Sequence, residues 1–216
     1  MTTITIGSNS YNLVALPAAP GFVEVSFSMN DTVAEVLSPF SRQSPQVQAW
    51  PGADWWEAQA TLPPMPRAQA AAWQAFLAEM RGKSNVVQLG DPLGVHPQGA
   101  PLGVPVVDGS NSANNMPGAT TLYTKGWKTS TFRLLLPGDY IQIGYRLHVA
   151  CEAVNSDANG NAQVQIWPSL REQPADSSPL VLNGPKGIFR LADNKRGWHS
   201  SVAQLTSLSF SLVEAR

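Results

Sequence analysis

The sequence has few charged residues and only one cysteine. Charged residues make up 13% of the 216 residues, against a share of about 25% in ordinary globular domains. The formal net charge is −1, so no overall field attracts the protein to nucleic acid or to anionic lipid. Cys151 alone cannot form an intrachain disulfide or a four-thiolate zinc site. We therefore expect no specific nucleic-acid partner and no disulfide framework.

The sequence also lacks long hydrophobic runs. No window approaches eighteen consecutive apolar residues, so we expect no membrane-spanning helix. The N-terminus, residues 1–7, has no basic region followed by an apolar run, and no signal peptide is expected. These absences predict a protein that is made in a cytoplasm and makes no direct membrane contact. The small number of charges favours a surface that is partly covered by neighbouring molecules.

Turn-forming and aromatic residues are abundant. The chain has 17 glycines, 18 prolines, seven tryptophans and seven phenylalanines, and 43% of its residues are hydrophobic. That hydrophobic content is enough to bury a core, which argues against disorder. The many turn residues argue against a helical bundle or a coiled coil. The length fits one large β domain or two small ones.

Most of the hydrophobic periodicity is that of β-strands. Apolar residues alternate with polar ones at 21–28, and the longest alternation, of six steps, runs from Ile141 to Cys151. A loop with an Asn159-Gly160 step predicts a hairpin to a partner strand at 162–167. Further strands are predicted at 55–62, 85–89, 122–136 (with Trp127 and Phe132 as candidate core residues), 180–182, 188–191 and 208–212.

One stretch has the period of a helix. Four apolar side chains recur at i, i+3, i+4 and i+7: Trp73, Phe76, Leu77 and Met80. Pro66 suits the first helical position, and Gly82 suits a left-handed C-cap. The pattern predicts one α-helix near 67–81 that packs on a β-sheet.

A long segment rich in proline and glycine separates the two halves of the chain. We interpret 93–119 as an extended loop that contacts neighbouring subunits, with one short strand at 104–107. The resulting fold class is mainly β, a barrel or sandwich with one packed helix near 67–81. We expect a single interleaved β-rich domain over 1–216. The alternative is a split into an N-terminal part, 1–92, and a C-terminal part, 120–216.

The sequence contains no recognisable catalytic or metal-binding pattern. The three histidines, His96, His148 and His199, are far apart and lack a second ligand at metal-binding spacing. His148 is out of phase with the apolar face of its strand, which predicts a solvent-facing side chain. Cys151 ends that apolar face and is expected to behave as a small buried hydrophobe. With no G-x-S-x-G motif either, we expect no catalytic residue, no metal and no cofactor, and hence no enzyme.

Three tryptophans, Trp50, Trp55 and Trp56, cluster within seven residues. Trp55 and Trp56 are adjacent on a predicted strand and point to opposite faces, so only one of them enters a given core. The other must be covered by the helix, by another subunit or by a ligand. These three residues, together with His96 in the long loop, are the candidate interaction residues.

The order of several stretches resembles that of distal tail or minor tail hub proteins of long-tailed, siphovirus-like bacteriophages. The stretches are 136–144 with its Pro-Gly-Asp entry to a strand, 157–162 with its Asn-Gly hairpin, 166–171 with the sequence Ile-Trp-Pro-Ser-Leu-Arg, and 187–191. The N-terminal tryptophans, the alanine-rich helix and the turn at 90–92 are also similar. The resemblance covers most of the chain outside 93–119.

The resemblance implies a structural virion protein of the tail tip, synthesised in the bacterial host cytoplasm and without catalysis. It implies a ring, a hexamer with a trimer as the alternative, that connects the tail tube to the host-adsorption apparatus. The implied partners are other copies of the chain, the tail tube protein, other tail-tip hub proteins and the tape measure protein. The alternative function is a carbohydrate-binding module that recognises a host cell-surface glycan through the tryptophans. A cell-wall hydrolase accessory domain is a further rival.

Overall fold

Strands form most of the regular structure in this computed structural model, which describes residues 2–37, 40, 46–111 and 115–216. The N-terminal part contains β1 (Thr2–Ile6), β2 (Asn9–Val14), β3 (Glu24–Asn30), β4 (Val33–Val36), β5 (Gln46–Ala49), β6 (Trp55–Thr61), β7 (Met65–Pro66), α1 (Arg67–Met80) and β8 (Val86–Leu89). The middle part contains β9 (Gly103–Val107), a 3-10 turn (Gly109–Asn111), β10 (Thr121–Trp127), β11 (Tyr140–Ile143), β12 (Arg146–Ala150), β13 (Ala162–Trp167) and β14 (Leu180–Val181). The C-terminal part contains β15 (Gly187–Leu191), β16 (His199–Ser200), β17 (Leu205–Ser207) and β18 (Ser209–Glu214).

Seven strands form the larger sheet, in the order β1-β2-β8-β15-β18-β6-β3. Neighbours are antiparallel except β2 and β8, which run parallel. Because β15 and β18 come from the C-terminal end, both ends of the chain contribute to one sheet. The hairpin β1–β2, which turns at Gly7 in a left-handed conformation with φ 57°, has no counterpart among the predicted strands.

The middle of the chain forms a nearly closed barrel of six strands, in the order β14-β11-β12-β13-β10-β9. A bridge between Val106 and Pro179 joins its two ends. Its interior holds fully buried aliphatic side chains, among them Leu122, Ile141 and Val164. The chain leaves the sheet after β8 and re-enters it at β15, and these two strands pair with each other. The predicted mainly β fold with a barrel and a packed helix is confirmed.

Helix α1 covers one part of the sheet with the residues that the periodicity selected. Trp73, Phe76, Leu77 and Met80 are all buried, as is Ala70. The helix ends differ slightly from the prediction. Pro66 is the N-cap in an extended conformation, and the left-handed C-cap is Arg81, with φ 49°, directly before Gly82. No described helix is long and apolar enough to cross a membrane.

The barrel packs on the same face of the sheet as the helix. Leu147 and Val149 of β12 belong to the same hydrophobic cluster as Trp56, Phe189 and the helix residues. All five residues of β12 are buried, because one face of the strand meets the barrel interior and the other meets the sheet. The core is therefore continuous across the junction between barrel and sheet.

The described residues of the segment 93–119, which are 93–111 and 115–119, lie against the barrel instead of extending away from it. The short strand predicted at 104–107 is confirmed as β9, which pairs with β10. Before it, a Cβ on Gly99 would lie 2.4 Å from the carbonyl oxygen of Leu134, so only glycine allows this approach. The buried carboxylate of Asp139 also accepts the backbone N–H of Gln98 at 2.6 Å. The segment is a component of the barrel, and the interpretation as a loop free to reach a neighbour is corrected for this part.

Four predictions in the barrel are wrong, one about strand bounds and three about the exposure of side chains. The long alternation at 141–151 is two strands, β11 and β12, which turn at Gly144 with φ 57°. His148 is buried instead of solvent-facing, because β12 has a packed neighbour on each face. Cys151 is exposed, since it follows the end of β12. Phe132 is also exposed, in an irregular stretch after β10, whereas Trp127 is buried as predicted.

Candidate interaction surface

The four candidate interaction residues occupy different environments. Trp50 is on the surface and 47% exposed. Trp55 is half-buried beneath the guanidinium of Arg216, which lies 4.4 Å from the ring centroid. Trp56 is buried. His96 is exposed in the segment before β9, where its Nδ1 lies 3.3 Å from Oδ1 of Asn183.

Trp56 belongs to the core that joins sheet and barrel. Its indole Nε1 donates to the carbonyl oxygen of Leu147 at 2.9 Å. Its ring meets the ring of Trp167 edge-on, with centroids 4.6 Å apart, and that of Phe27 at 5.9 Å. Only 1% of Trp56 is exposed. The prediction that just one tryptophan of the adjacent pair enters this core is confirmed, and a buried Trp56 cannot contact a partner or a glycan.

A network of buried polar groups lies where the barrel meets the start of β6. The carboxylate of Asp54 accepts the hydroxyl of Ser169 at 2.6 Å, and that hydroxyl oxygen accepts the N–H of Gly52 at 2.8 Å. Arg171 donates to the carbonyl oxygens of Gly52 and Asp54. Arg171 also binds both carboxylate oxygens of Glu214, at 3.1 and 3.0 Å. These contacts attach the chain just before β6 to both barrel and sheet.

Arg146 and His148 extend the network into the barrel. Arg146 donates to Glu214 Oε1 at 3.4 Å and lies 3.8 Å from the carboxylate of Glu172. Burial lowers the pKa of Arg146, while Glu214 acts in the opposite direction. Burial also lowers the pKa of His148, whose Nδ1 is 2.8 Å from the carbonyl oxygen of Pro168. A neutral imidazole with Nδ1–H as donor fits this site. The charged side chains of this network pair with one another. We call the network the clamp; its members are Gly52, Asp54, Arg146, His148, Ser169, Arg171 and Glu214.

A two-stranded hairpin directly precedes Gly52 and Asp54 of the clamp in the sequence. We call residues 31–50, of which 31–37, 40 and 46–50 are described, the arm. Within the described residues, its strands β4 and β5 pair only with each other. Apart from Ala34, which is half-buried, every residue of the two strands is exposed. The exposed apolar residues include Val33, Val36 and Val47.

Two hydrogen bonds join the base of the arm to the rest of the chain, and a third closes the hairpin at its base. Asp31 accepts the indole N–H of Trp167 at 2.8 Å. The hydroxyl of Thr32 donates to the carbonyl oxygen of Ala53 at 2.8 Å. The backbone N–H of Trp50 donates to the carbonyl oxygen of Thr32 at 3.2 Å. The arm is therefore anchored to the barrel at one end, while its strands remain exposed.

A groove lies beside the β16–β17 hairpin. It is a cavity of about 340 Å³ lined by Thr61, Leu62, Gly197, Trp198, His199, Ser207, Leu208 and Ser209. Trp198 at its margin is 53% exposed, and Val202 in the hairpin loop is fully exposed. Leu205 adds a third exposed apolar side chain. Large apolar groups are therefore uncovered beside this groove as well as on the arm.

A larger polar cavity, of about 580 Å³, borders the turn at Asp157. The Asp157 carboxylate accepts the backbone N–H groups of Asn159 and Asn161, both at 2.8 Å, and these bonds lower its pKa. The Asp-x-Asn-Gly-Asn sequence is therefore explained by a turn. In the part of the chain that the structure describes, no group of three or more His, Cys, Asp or Glu side chains is placed to hold a metal ion.

The arm has no counterpart among the sequence predictions. Its usable signal is one short alternation of polar and apolar residues, Gln46-Val47-Gln48-Ala49. Neither protein-family models nor the curated proteins give a match to this chain.

Proposed function

We propose that this chain is a structural protein of a bacteriophage tail tip, which forms a ring that connects the tail tube to the host-adsorption apparatus. The arm carries this proposal. An isolated two-stranded hairpin is marginally stable in water, and contiguous exposed apolar groups mark interaction sites. The strands of the arm expose apolar residues on both faces. A partner that covers the arm would stabilise it.

The sheet edges support assembly in the same way. The outer strands of the seven-stranded sheet are β1 and β3, and each has one edge with no neighbouring strand among the described residues. Such an edge presents unpaired backbone groups to any further strand. Pairing between copies would satisfy these groups. An assembly in which each chain covers its neighbour also accounts for the low content of charged residues.

The stretches that carry the resemblance have structural contacts, which supports a protein without catalysis. Asp139, from the Pro-Gly-Asp stretch, accepts backbone N–H groups of Gln98, Gly99 and Leu136. Ser169 and Arg171, from the stretch 166–171, belong to the buried clamp. These side chains hold chain segments together, as a rigid tail component requires.

The proposed partners follow from this place in the virion. They are other copies of the chain in a ring, a hexamer with a trimer as the alternative, the tail tube protein, other tail-tip hub proteins and the tape measure protein. Negative-stain electron microscopy of the purified protein tests the proposal. We expect rings with a central hole. Monomers without any ring at every protein concentration, both alone and with a tail tube protein, would contradict the proposal.

The glycan-binding alternative rests on Trp50, which is 47% exposed. An exposed indole face can stack on an apolar sugar face. Titration with host polysaccharide tests this alternative through tryptophan fluorescence. Saturable quenching in the wild type that Trp50→Ala abolishes would favour a carbohydrate-binding module, whereas unchanged fluorescence would exclude this use of Trp50.

A further inference from the structure

The groove beside the β16–β17 hairpin is lined by two cross-strand pairs of polar residues. His199 is directly opposite Ser207 in the β16–β17 ladder. Ser209 is directly opposite Thr61 in the β18–β6 ladder, and all four residues line the groove. Residues that are opposite each other in a ladder place their side chains on the same face. Each pair therefore presents its polar groups side by side.

The polar groups of these two pairs have hydrogen-bonding capacity that the fold does not use. Among the described residues, no side-chain hydrogen bond joins the hydroxyl groups of Thr61, Ser207 and Ser209 to another part of the chain. The same is true of the imidazole of His199. A hydroxyl group and a neutral imidazole can each donate and accept one hydrogen bond or more. A ligand that carries hydroxyl groups is complementary to such a set.

The remainder of the groove is apolar. Leu62 and Leu208 line it and are buried, so they form its floor. Trp198 also lines the groove and is 53% exposed. Among the described residues, the indole of Trp198 has neither a ring partner nor a hydrogen-bond partner. A large flat ring that is apolar on its face and polar at its N–H is therefore presented to a ligand.

The charges near the groove favour an uncharged ligand. The described residues that line the groove include no lysine, arginine or carboxylate. The exposed Glu24 is directly opposite Thr61 in the β3–β6 ladder, so its carboxylate extends the row formed by Thr61 and Ser209. A carboxylate accepts hydrogen bonds from hydroxyl groups and repels a phosphate or another carboxylate. This edge of the groove therefore suits a neutral molecule rich in hydroxyl groups.

A second cavity adjoins the groove, since Gly197 and Ser209 line both. The groove has a volume of about 340 Å³ and the second cavity one of about 220 Å³. Sites for small-molecule ligands have volumes of about 300–1,000 Å³. The second cavity is lined in part by polar side chains and by charged side chains of both signs: Gln59, Asp193, Lys195, Arg196 and Ser211. The two cavities together provide a path for a chain of more than one ring.

We infer that the groove binds a neutral pyranose unit of a glycan. The indole of Trp198 stacks on the C–H face of the sugar ring. The two cross-strand pairs and the carboxylate of Glu24 bind the sugar hydroxyl groups, and the next unit of the glycan extends into the second cavity. This site differs from Trp50, which precedes β6, whereas Thr61 is the last residue of β6. The inference does not depend on the proposed ring, because the groove belongs to a single chain.

Saturation-transfer difference NMR tests the site with named sugars. The probes are glucose, galactose, mannose and N-acetylglucosamine, with the disaccharides maltose, cellobiose and lactose. We expect saturable transfer from the protein to at least one of these sugars, strongest at the C–H protons of the ring face that lies on the indole. A disaccharide should bind more tightly than its single units, because its second ring occupies the adjoining cavity.

Substitutions in the groove locate the binding. Trp198→Ala should weaken the binding of the sugar by about tenfold or more, and Trp198→Phe should restore part of the affinity because it restores an aromatic face. Thr61→Val keeps the shape of the side chain and removes its hydroxyl group, so it should weaken binding by about three- to tenfold. Trp50→Ala removes another exposed tryptophan and is the matched control, which should bind as the wild type does. Far-UV circular dichroism checks that each variant is folded.

Each outcome bears on the inference. The absence of transfer from the wild type to any of these sugars overturns it, and so does binding that Trp198→Ala and Thr61→Val leave unchanged. Binding that is lost in Trp50→Ala alone also overturns it and supports the glycan-binding alternative at Trp50. Light scattering on the same samples measures the mass of the assembly separately. A failure of the sugar site is thereby distinguished from a failure of the proposed ring.

Discussion

Arg171 of the barrel and Glu214 of the last strand form a bidentate ion pair in the junction between barrel and sheet. Nε lies 3.1 Å from Oε1, and Nη2 lies 3.0 Å from Oε2. Both side chains are largely buried. Because the same guanidinium donates to the carbonyl oxygens of Gly52 and Asp54, the pair positions the base of the arm relative to the fold.

Glu214→Gln should destabilise the protein by about 3–5 kcal/mol, because it leaves buried guanidinium groups without their counter-charge. The glutamate accepts bonds from Arg146, Arg171 and the backbone N–H of Trp56. The carboxylate of Glu172, which lies 3.8 Å from Arg146 and is half-exposed, does not replace these three bonds. Urea unfolding at pH 7.5 measures the loss. The exposed Glu152→Gln is the control and should change the free energy of unfolding by less than about 0.5 kcal/mol. Equal effects of the two substitutions would contradict the role of the clamp.

His148 should make stability depend on pH near neutrality. Burial lowers its pKa below 6.5 in the folded state, so the unfolded chain binds more protons as the pH falls through 6.5. By linkage, the free energy of unfolding decreases below that pH and is fully retained above it. His148→Gln should lose less stability than the wild type between pH 7.5 and pH 5.5, whereas the exposed His199→Gln should follow the wild type. Parallel curves for all three proteins would show that His148 does not titrate in this way.

The local spacing of apolar residues predicted those helices and strands that pack against a single neighbouring element. The spacing of Trp73, Phe76 and Met80 identified the helix and its buried face, because one stripe of the helix meets one sheet. The burial of His148 could not be predicted in this way. Its strand packs on both faces, and the second neighbour is a sheet built from the two ends of the chain.

The candidate site was less predictable than the fold. Alternation indicates strands that have one covered face, whereas the arm exposes apolar residues such as Val36 and Val47 on both of its faces. The clamp depends on a contact between Arg171 and Glu214, which are 43 residues apart in the sequence and are linked by no local pattern. Only the pairing of strands brings them together.

Two tryptophans that are close in sequence should respond differently to substitution. Trp56→Ala should cost about 3–5 kcal/mol of unfolding free energy, because it removes a buried ring from the core. Trp50→Ala should change it by less than about 0.5 kcal/mol, because its ring is exposed. Chemical denaturation followed by far-UV circular dichroism measures both. A large loss of stability in Trp50→Ala would mean that its ring is required for the fold.

Deletion of 94–118 should disrupt the barrel. The deletion removes β9, which pairs with β10 and supplies the fully buried Val107 to the barrel interior. We expect loss of cooperative unfolding and rapid cleavage of the barrel by trypsin at Lys128 and Arg133. A variant that unfolds cooperatively, with protease resistance equal to that of the wild type, would show that β9 is dispensable.

Light scattering coupled to size-exclusion chromatography tests the central claim, that this chain is a ring-forming structural subunit. We expect a discrete species at a small multiple of the 23.2 kDa chain mass, six-fold or three-fold for a closed ring, whose population rises with protein concentration. A mass of one chain throughout the accessible concentration range would contradict it.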